Sequence, residues 1–259
     1  MRSWYAHLWQ EWSSRQPMRP AFARPRPETW DDTRLTVAWL GHATVLINFY
    51  GVNILTDPAL FSRVGIRGPG FTIGPKRLTV PALRVDELPR IDLVLLSHAH
   101  FDHFDRRTLR RLPRTADVVT AARTADLLRG ISFHTQTELR CHESTEFRYP
   151  GGALRVEAIP VKHWGARMQY DNFRGYNGYI LERNGVRVIF GGDSAMTDRF
   201  AELRGGEPFA LAIMAIGAYD PWIRVHATPG GSGGDGGGRR RGVHHAGASS
   251  DLSPECGII

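Results

Sequence analysis

Cysteine and lysine are both scarce in this chain: among 259 residues there are two cysteines, Cys141 and Cys256, and two lysines, Lys76 and Lys162. Two thiols cannot make a disulfide framework, which fits a reducing, cytoplasmic setting. Any metal site is then expected to rely on nitrogen and oxygen ligands. No run of about 18 apolar residues is present, so no membrane span is expected. The N-terminus lacks an apolar h-region, so no secretory signal is expected. The net charge of +7 is almost entirely arginine. No basic face with interleaved aromatics continues into the body, which argues against nucleic acid as a partner. With 42% apolar residues, the chain can bury a full core as one large domain.

The densest chemistry lies in Ser97-His98-Ala99-His100-Phe101-Asp102-His103, directly after the apolar run Ile91-Asp92-Leu93-Val94-Leu95-Leu96. That run reads as a buried strand. Three imidazoles and a carboxylate at its end are hard to explain as packing, and they suit Zn, with Mn or Fe as alternatives. Two further strands end in ligand-type residues. Leu154 to Pro160 is followed by Val161-Lys162-His163-Trp164, and Val186 to Ile189 by Phe190-Gly191-Gly192-Asp193-Ser194. A lone His or a Gly-Gly-Asp is by itself more often structural. Together with the first cluster they complete a dinuclear site. His98, His100 and His163 would hold one ion, Asp102 and His103 the second, and Asp193 would bridge the pair through its two oxygens.

His-x-His-x-Asp-His, a later His and Gly-Asp-Ser resemble the metal signature of the metallo-β-lactamase superfamily. Trp39-Leu40-Gly41-His42-Ala43-Thr44, Leu55-Thr56-Asp57-Pro58, Gly74-Pro75-Lys76-Arg77, Glu87-Leu88-Pro89 and Ile216-Gly217-Ala218-Tyr219-Asp220-Pro221 follow in order. That series resembles the N-acyl-phosphatidylethanolamine-hydrolysing phospholipase D family and its bacterial relatives. The resemblance implies an αββα sandwich holding two zinc ions. It also implies a phosphodiesterase of phospholipase D type, with a hydroxide shared by the ions as nucleophile. Hydrolysis of another bond, such as a lactone or a cyclic phosphate, is the alternative. Asp102 would orient the nucleophile, and His226, in His-Ala-Thr-Pro, would contact substrate or leaving group unless it merely caps a loop. His42 lies near the site, behind the ligands or as buried support. Asp57 and Asp105 would orient ligand imidazoles. Trp164 and Tyr219 would line the pocket, although aromatics at strand ends are more often core. A flavodiiron oxidoreductase is disfavoured because such sites carry Glu where His100 stands. A nuclease of the superfamily would need a clamp domain for which the chain has no room.

The layout supports α/β. Strands are expected over residues 35–40, 44–50, 53–56 and 117–120, helices over 106–111 and 121–128, and four more strands ending at 211–216. Residues 61–81 are Gly/Pro-rich and read as a long loop over the site. Three segments follow: a basic, aromatic arm (1–30), a hydrolase domain (31–229) and a tail (230–259). In the arm, Arg2, Arg15, Arg19, Arg24 and Arg26 surround Trp4, Tyr5, Trp9 and Trp12. It would either lie at an anionic membrane surface or pack its Trp residues on the body.

After Pro229 comes Gly230-Gly231-Ser232-Gly233-Gly234-Asp235-Gly236-Gly237-Gly238-Arg239-Arg240-Arg241, a composition that cannot form a core. The family resemblance implies instead a helix, a strand and a Pro-x-His-His/Trp-x-Thr-Phe motif carrying the last ligand of the second ion. Out-of-frame GC-rich sequence yields Gly, Arg and Ala. Permitted codons for residues 231–259, read one nucleotide later, allow such an ending. The tail is therefore read as frame-shifted, which would remove a core strand and helix and could leave the product inactive or unstable.

Overall fold

The computed structural model describes residues 17–168, 170–195, 197–203 and 208–216. Tyr219, His226, the tail and the expected loss of the final strand and helix all lie outside the described residues, as do Trp4, Tyr5, Trp9 and Trp12.

The first sheet begins as an antiparallel meander of β1 (Leu35–Gly41), β2 (Thr44–Phe49) and β3 (Val52–Thr56). The β2–β3 turn places Tyr50 and Gly51 at φ 53° and 81°, the left-handed pair a tight two-residue hairpin needs. β6 (Leu93–Leu96), β7 (Asp117–Ala121) and β8 (Gln136–Leu139) then add in parallel, giving the order β1-β2-β3-β6-β7-β8. The second sheet has the order β13-β12-β11-β10-β9. It consists of β9 (Ser144–Tyr149), β10 (Gly152–Ile159), β11 (Gly178–Arg183), β12 (Val186–Phe190) and β13 (Leu211–Ile213), antiparallel except for the β12–β13 pair. Between β3 and β6, β4 (Ile66–Gly68) and β5 (Phe71–Ile73) form a small hairpin inside the segment expected to be loop.

Alternation along each strand builds three apolar layers. Val45, Ile47 and Phe49 of β2 and Leu93 and Leu95 of β6 face Leu154, Val156, Tyr179, Leu181 and Val188 of the second sheet. Leu46, Leu55, Val94 and Leu96 point the other way, against Phe104, Leu109, Leu112 and Leu128. On the outer face of the second sheet, Ile159, Ile180 and Ile189 meet Phe200, Leu203 and Phe209. Both faces of β2 and β6 are thus covered, which is why their sequences are unbroken apolar runs. The layers are those of the expected αββα sandwich, though the helices among the described residues are short. They are α1 (Arg106–Leu109), α2 (Arg199–Glu202) and 3-10 turns.

Two sequence expectations need correction. The helix over 121–128 contracts to a 3-10 turn at Ala125–Leu128, because Arg123 takes a left-handed φ of 59° and breaks the run. Six strands, not four, follow it among the described residues. The described part of the arm packs on the body. Arg19 N donates to Leu78 O and Val80 N to Arg19 O, each at 2.9 Å, and Ala21 and Trp30 lie against the layer beneath the first sheet. No helix among the described residues is long and apolar enough to cross a membrane.

Candidate metal centre

Parallel strands present their C-terminal ends at one edge, where ligands gather in open α/β sheets. β3 and β6 are parallel neighbours and end at Asp57 and Ser97-His98. β10 and β12 both run antiparallel to β11, so their C-terminal ends share an edge as well. They lead into His163 and Asp193. The two edges are stitched together: Asn177 N donates to Ser97 O (2.9 Å), and the Tyr179 hydroxyl donates to Leu96 O (2.9 Å). Gly192 has φ 54° and passes so close that a Cβ would lie 2.8 Å from Ser97 Cβ. Only glycine fits there, and this close passage delivers Asp193 to the histidine loop.

Three ring nitrogens converge. His98 Nε2 lies 2.7 Å from His100 Nδ1, and His163 Nε2 lies 3.2 and 3.3 Å from those two atoms. A shared proton can satisfy one pair of facing imidazoles, not three. Adding protons is opposed by burial of His98 and by the positive charges of His103, His100 and His163, which hold its pKa well below the usual imidazole range. A cation bound about 2.0–2.1 Å from each nitrogen would separate them by about 3.3 Å in tetrahedral geometry. The donor set therefore fits a borderline divalent ion. Ser97 Oγ fixes the His98 ring through Nδ1 at 2.8 Å.

Beside it lies a second group, His42, Asp102 and His103, whose ligand atoms all fall within 4.8 Å of one another. His103 Nδ1 is held 2.8 Å from Asp57 Oδ2, which turns Nε2 toward Asp193 Oδ2 at 3.0 Å and Asp102 Oδ2 at 3.8 Å. Burial alone would lower the His103 pKa, but the Asp193 and Asp102 charges outweigh it and raise it well above the usual value. Burial pushes the Asp102 carboxyl up; the His103 charge and the His42 hydrogen bond outweigh that and hold it below the carboxylate range.

Of the residues expected around the ligands, Asp57 lies against His103 and Ser97. Its carboxylate is fully buried and accepts from Ser97 N (2.7 Å) and Ser97 Oγ (2.5 Å) besides holding His103. Asp57→Asn is expected to weaken zinc binding at His103 by roughly 10–100-fold. Competition against a chromophoric chelator checks this, and an unchanged affinity would remove Asp57 from that role. Asp105 is a correction. Its carboxylate accepts from Arg107 N, Thr108 N and Thr108 Oγ1 (3.1, 3.1 and 2.6 Å) and so caps α1 rather than orienting an imidazole. Trp164 is half exposed, with its ring 4.5 Å from that of His100. Tyr219 and His226 fall outside the described residues. His134 and His142 lie away from the cluster: His134 Nδ1 is 2.9 Å from Asp117 Oδ1, and His142 N donates to Ala158 O at 2.7 Å.

Sequence reasoning missed two supports. Ser97 joins Asp57 to His98, and its only signal was a hydroxyl at the end of an apolar strand. Arg167 Nη1 donates to Ala99 O (2.7 Å) and Phe104 O (3.0 Å), with its guanidinium 4.0 Å over the Phe101 ring, clamping the histidine loop from the His163 side. Burial brings its pKa down to about 10. Nothing in the local sequence marks that long-range contact.

The family model described as Beta-lactamase superfamily domain matches residues 52–234. A Caenorhabditis elegans protein named N-acyl-phosphatidylethanolamine-hydrolyzing phospholipase D 1 is 32% identical over 203 residues, 73% of this chain and 56% of that protein. An uncharacterized Mycobacterium tuberculosis protein is 29% identical over 234 residues, 86% of this chain and 60% of its own length. The chain thus spans somewhat over half the length of these relatives. Among solved structures, an isothiocyanate hydrolase from Delia radicum gut bacteria superposes with a TM-score of 0.56 at 18% identity, covering 74% of this chain and 76% of that one. The chain belongs to the beta-lactamase superfamily, and its paired sheets are the metallo-β-lactamase fold.

Proposed function

We propose that this protein is a metal-dependent hydrolase that cleaves phosphodiesters in the manner of a phospholipase D. The observation that carries the reading is the meeting of His98 Nε2, His100 Nδ1 and His163 Nε2 within 2.7–3.3 Å, beside the carboxylates of Asp102 and Asp193. The name of the C. elegans relative supports the choice of phosphodiester.

His98, His100 and His163 would hold one ion, Asp102 and His103 a second, with Asp193 between them. When bound, divalent cations supply water of lowered pKa and neutralise negative charge that grows on the phosphoryl oxygens. The chain's own residues do the rest. Asp57 and Ser97 fix the tautomers and angles of His103 and His98. Asp102 keeps its charge at neutral pH, so one carboxylate oxygen can accept a hydrogen bond from the attacking water and orient it. Trp164, half exposed beside His100, offers an apolar wall to the substrate. His226 would serve the leaving group. The arm would bring the protein to an anionic lipid surface. Residues 31–229 would form the hydrolase unit, and the run after Pro229 would be frame-shifted sequence, which resequencing codons 225–259 checks.

The test is a panel: the zinc-loaded full chain against bis(p-nitrophenyl) phosphate, N-acyl-phosphatidylethanolamine vesicles and an aryl lactone. Turnover of phosphodiesters that a chelator stops is the expected result. Turnover of the lactone alone would overturn the substrate class. Silence on all three with two ions bound would mark the chain as catalytically disabled.

A further inference from the structure

We infer that His42 is a direct metal ligand, the donor that completes the second ion's site together with Asp102 and His103. The inference rests on the metal reading above and extends it to a residue on a different strand pair.

The geometry is already assembled. His42 Nε2 lies 2.9 Å from Asp102 Oδ2, and that same oxygen lies 3.8 Å from His103 Nε2. The His42 and His103 rings stand edge to face with centroids 5.0 Å apart. All three ligand atoms fall within 4.8 Å of one another, a span one divalent ion can bridge with bonds of about 2.0–2.2 Å. His103 has only Nε2 to offer, since Asp57 engages Nδ1. With Asp193 between the ions, the donor set is two imidazoles and two carboxylates, a full complement for a four-coordinate zinc-type ion.

The position of His42 is built rather than incidental. It occupies the turn between β1 and β2 with φ 54°, a left-handed conformation uncommon for a residue with a Cβ. Its carbonyl accepts from Trp39 Nε1 at 2.5 Å, which anchors the turn from the exposed face of β1. A backbone fixed in this way aims the imidazole over Asp102 while 44% of the side chain stays exposed at the mouth of the site.

The alternative is that His42 only donates a hydrogen bond to Asp102. Two substitutions separate the roles. Glutamine keeps an N–H donor that can reach Asp102 but is a poor zinc ligand. Aspartate tolerates the left-handed turn and can ligate. Metal content of the full chain is measured after zinc loading and desalting, together with the visible spectrum of the cobalt-substituted protein. Wild type is expected to hold about two ions, His42→Gln about one, and His42→Asp about two, with a changed cobalt band for the second equivalent. Retention of the first ion in each variant shows that the fold and the three-histidine position survive. If His42→Gln holds two ions as tightly as wild type, His42 is a hydrogen-bond support and the inference falls. If wild type takes up one ion only, the inference falls while the three-histidine reading stands. If it takes up none, both fall.

Discussion

Replacing Arg174 with methionine is expected to lower the unfolding free energy by about 3–5 kcal/mol, the usual cost of stranding partners of a buried ion pair. Arg174 is buried in the segment between β10 and β11 that carries His163. Its Nε donates to Asp171 Oδ2 (2.7 Å), and Nη1 to Asp126 Oδ1 (2.5 Å) and Arg123 O (2.7 Å); Nη2 donates to Asp126 Oδ2 (3.0 Å). The side chain thus ties the His163 segment to the 3-10 turn after β7, some fifty residues earlier. Its removal leaves the Asp171 carboxylate buried without its ion-pair partner. The pH dependence gives an internal control. Burial raises Asp171, but the hydrogen bond and charge of Arg174, together with the hydrogen bonds from the Met168 and Arg167 backbone, outweigh it; the same guanidinium is the chief cause of the lowering of Asp126. A carboxyl whose folded pKa is depressed contributes stability above its unfolded value of about 3.9 and loses it as pH falls toward the folded value. The gap between wild type and Arg174→Met in urea midpoint is therefore expected to be widest near neutrality and to narrow below about pH 4. A gap that stays constant with pH would show that lost packing, not charge, is responsible.

How much of this was readable beforehand divides along physical lines. β2, β6, β10 and β12 were legible because strands buried on both faces, or ending in a ligand, carry strong local signals. Two of the six strands after residue 128 went uncounted, and the weakest signals belong to β8 and β9, which are sheet edges. Their burial alternates with exposure, and polar residues such as Gln136, Glu138, Ser144 and Glu146 dominate, so the runs resemble loops. The candidate ligands stood out from the clustering of residue types, since few other reasons put three imidazoles at a strand end. Their supports were not. Ser97, Arg167 and Arg174 act across separations that no local pattern encodes. Asp105 was misread because an Asp after a histidine loop suits both a ligand partner and a helix cap, and the Thr108 hydroxyl three residues later decided for the cap. His42 was placed near the site from its motif, but that it faces Asp102 follows only from the pairing of β1 with β2.

Replacing His98 with alanine is expected to abolish hydrolysis to within the sensitivity of the assay, a loss of about 1,000-fold or more, since it removes the ion that would supply most of the electrostatic stabilisation. The stability readout is the more telling one. His98, His100 and His163 bring three nitrogens within 2.7–3.3 Å of one another, in a site where His98 resists protonation. A bound cation is the partner that suits this arrangement. Binding to the folded state alone stabilises by RT ln(1 + [L]/Kd), about 4 kcal/mol when free metal is a thousand times Kd. Zinc is therefore expected to raise the wild-type Tm by several degrees, and a chelator to reverse the rise. His98→Ala should melt at nearly the same temperature with and without zinc. Metal-free, the variant should melt within a few degrees of metal-free wild type if the imidazole serves the ion rather than the core. A metal-free variant several degrees below metal-free wild type would mean that His98 stabilises the fold by packing. An equal zinc response in both proteins would place the ion elsewhere.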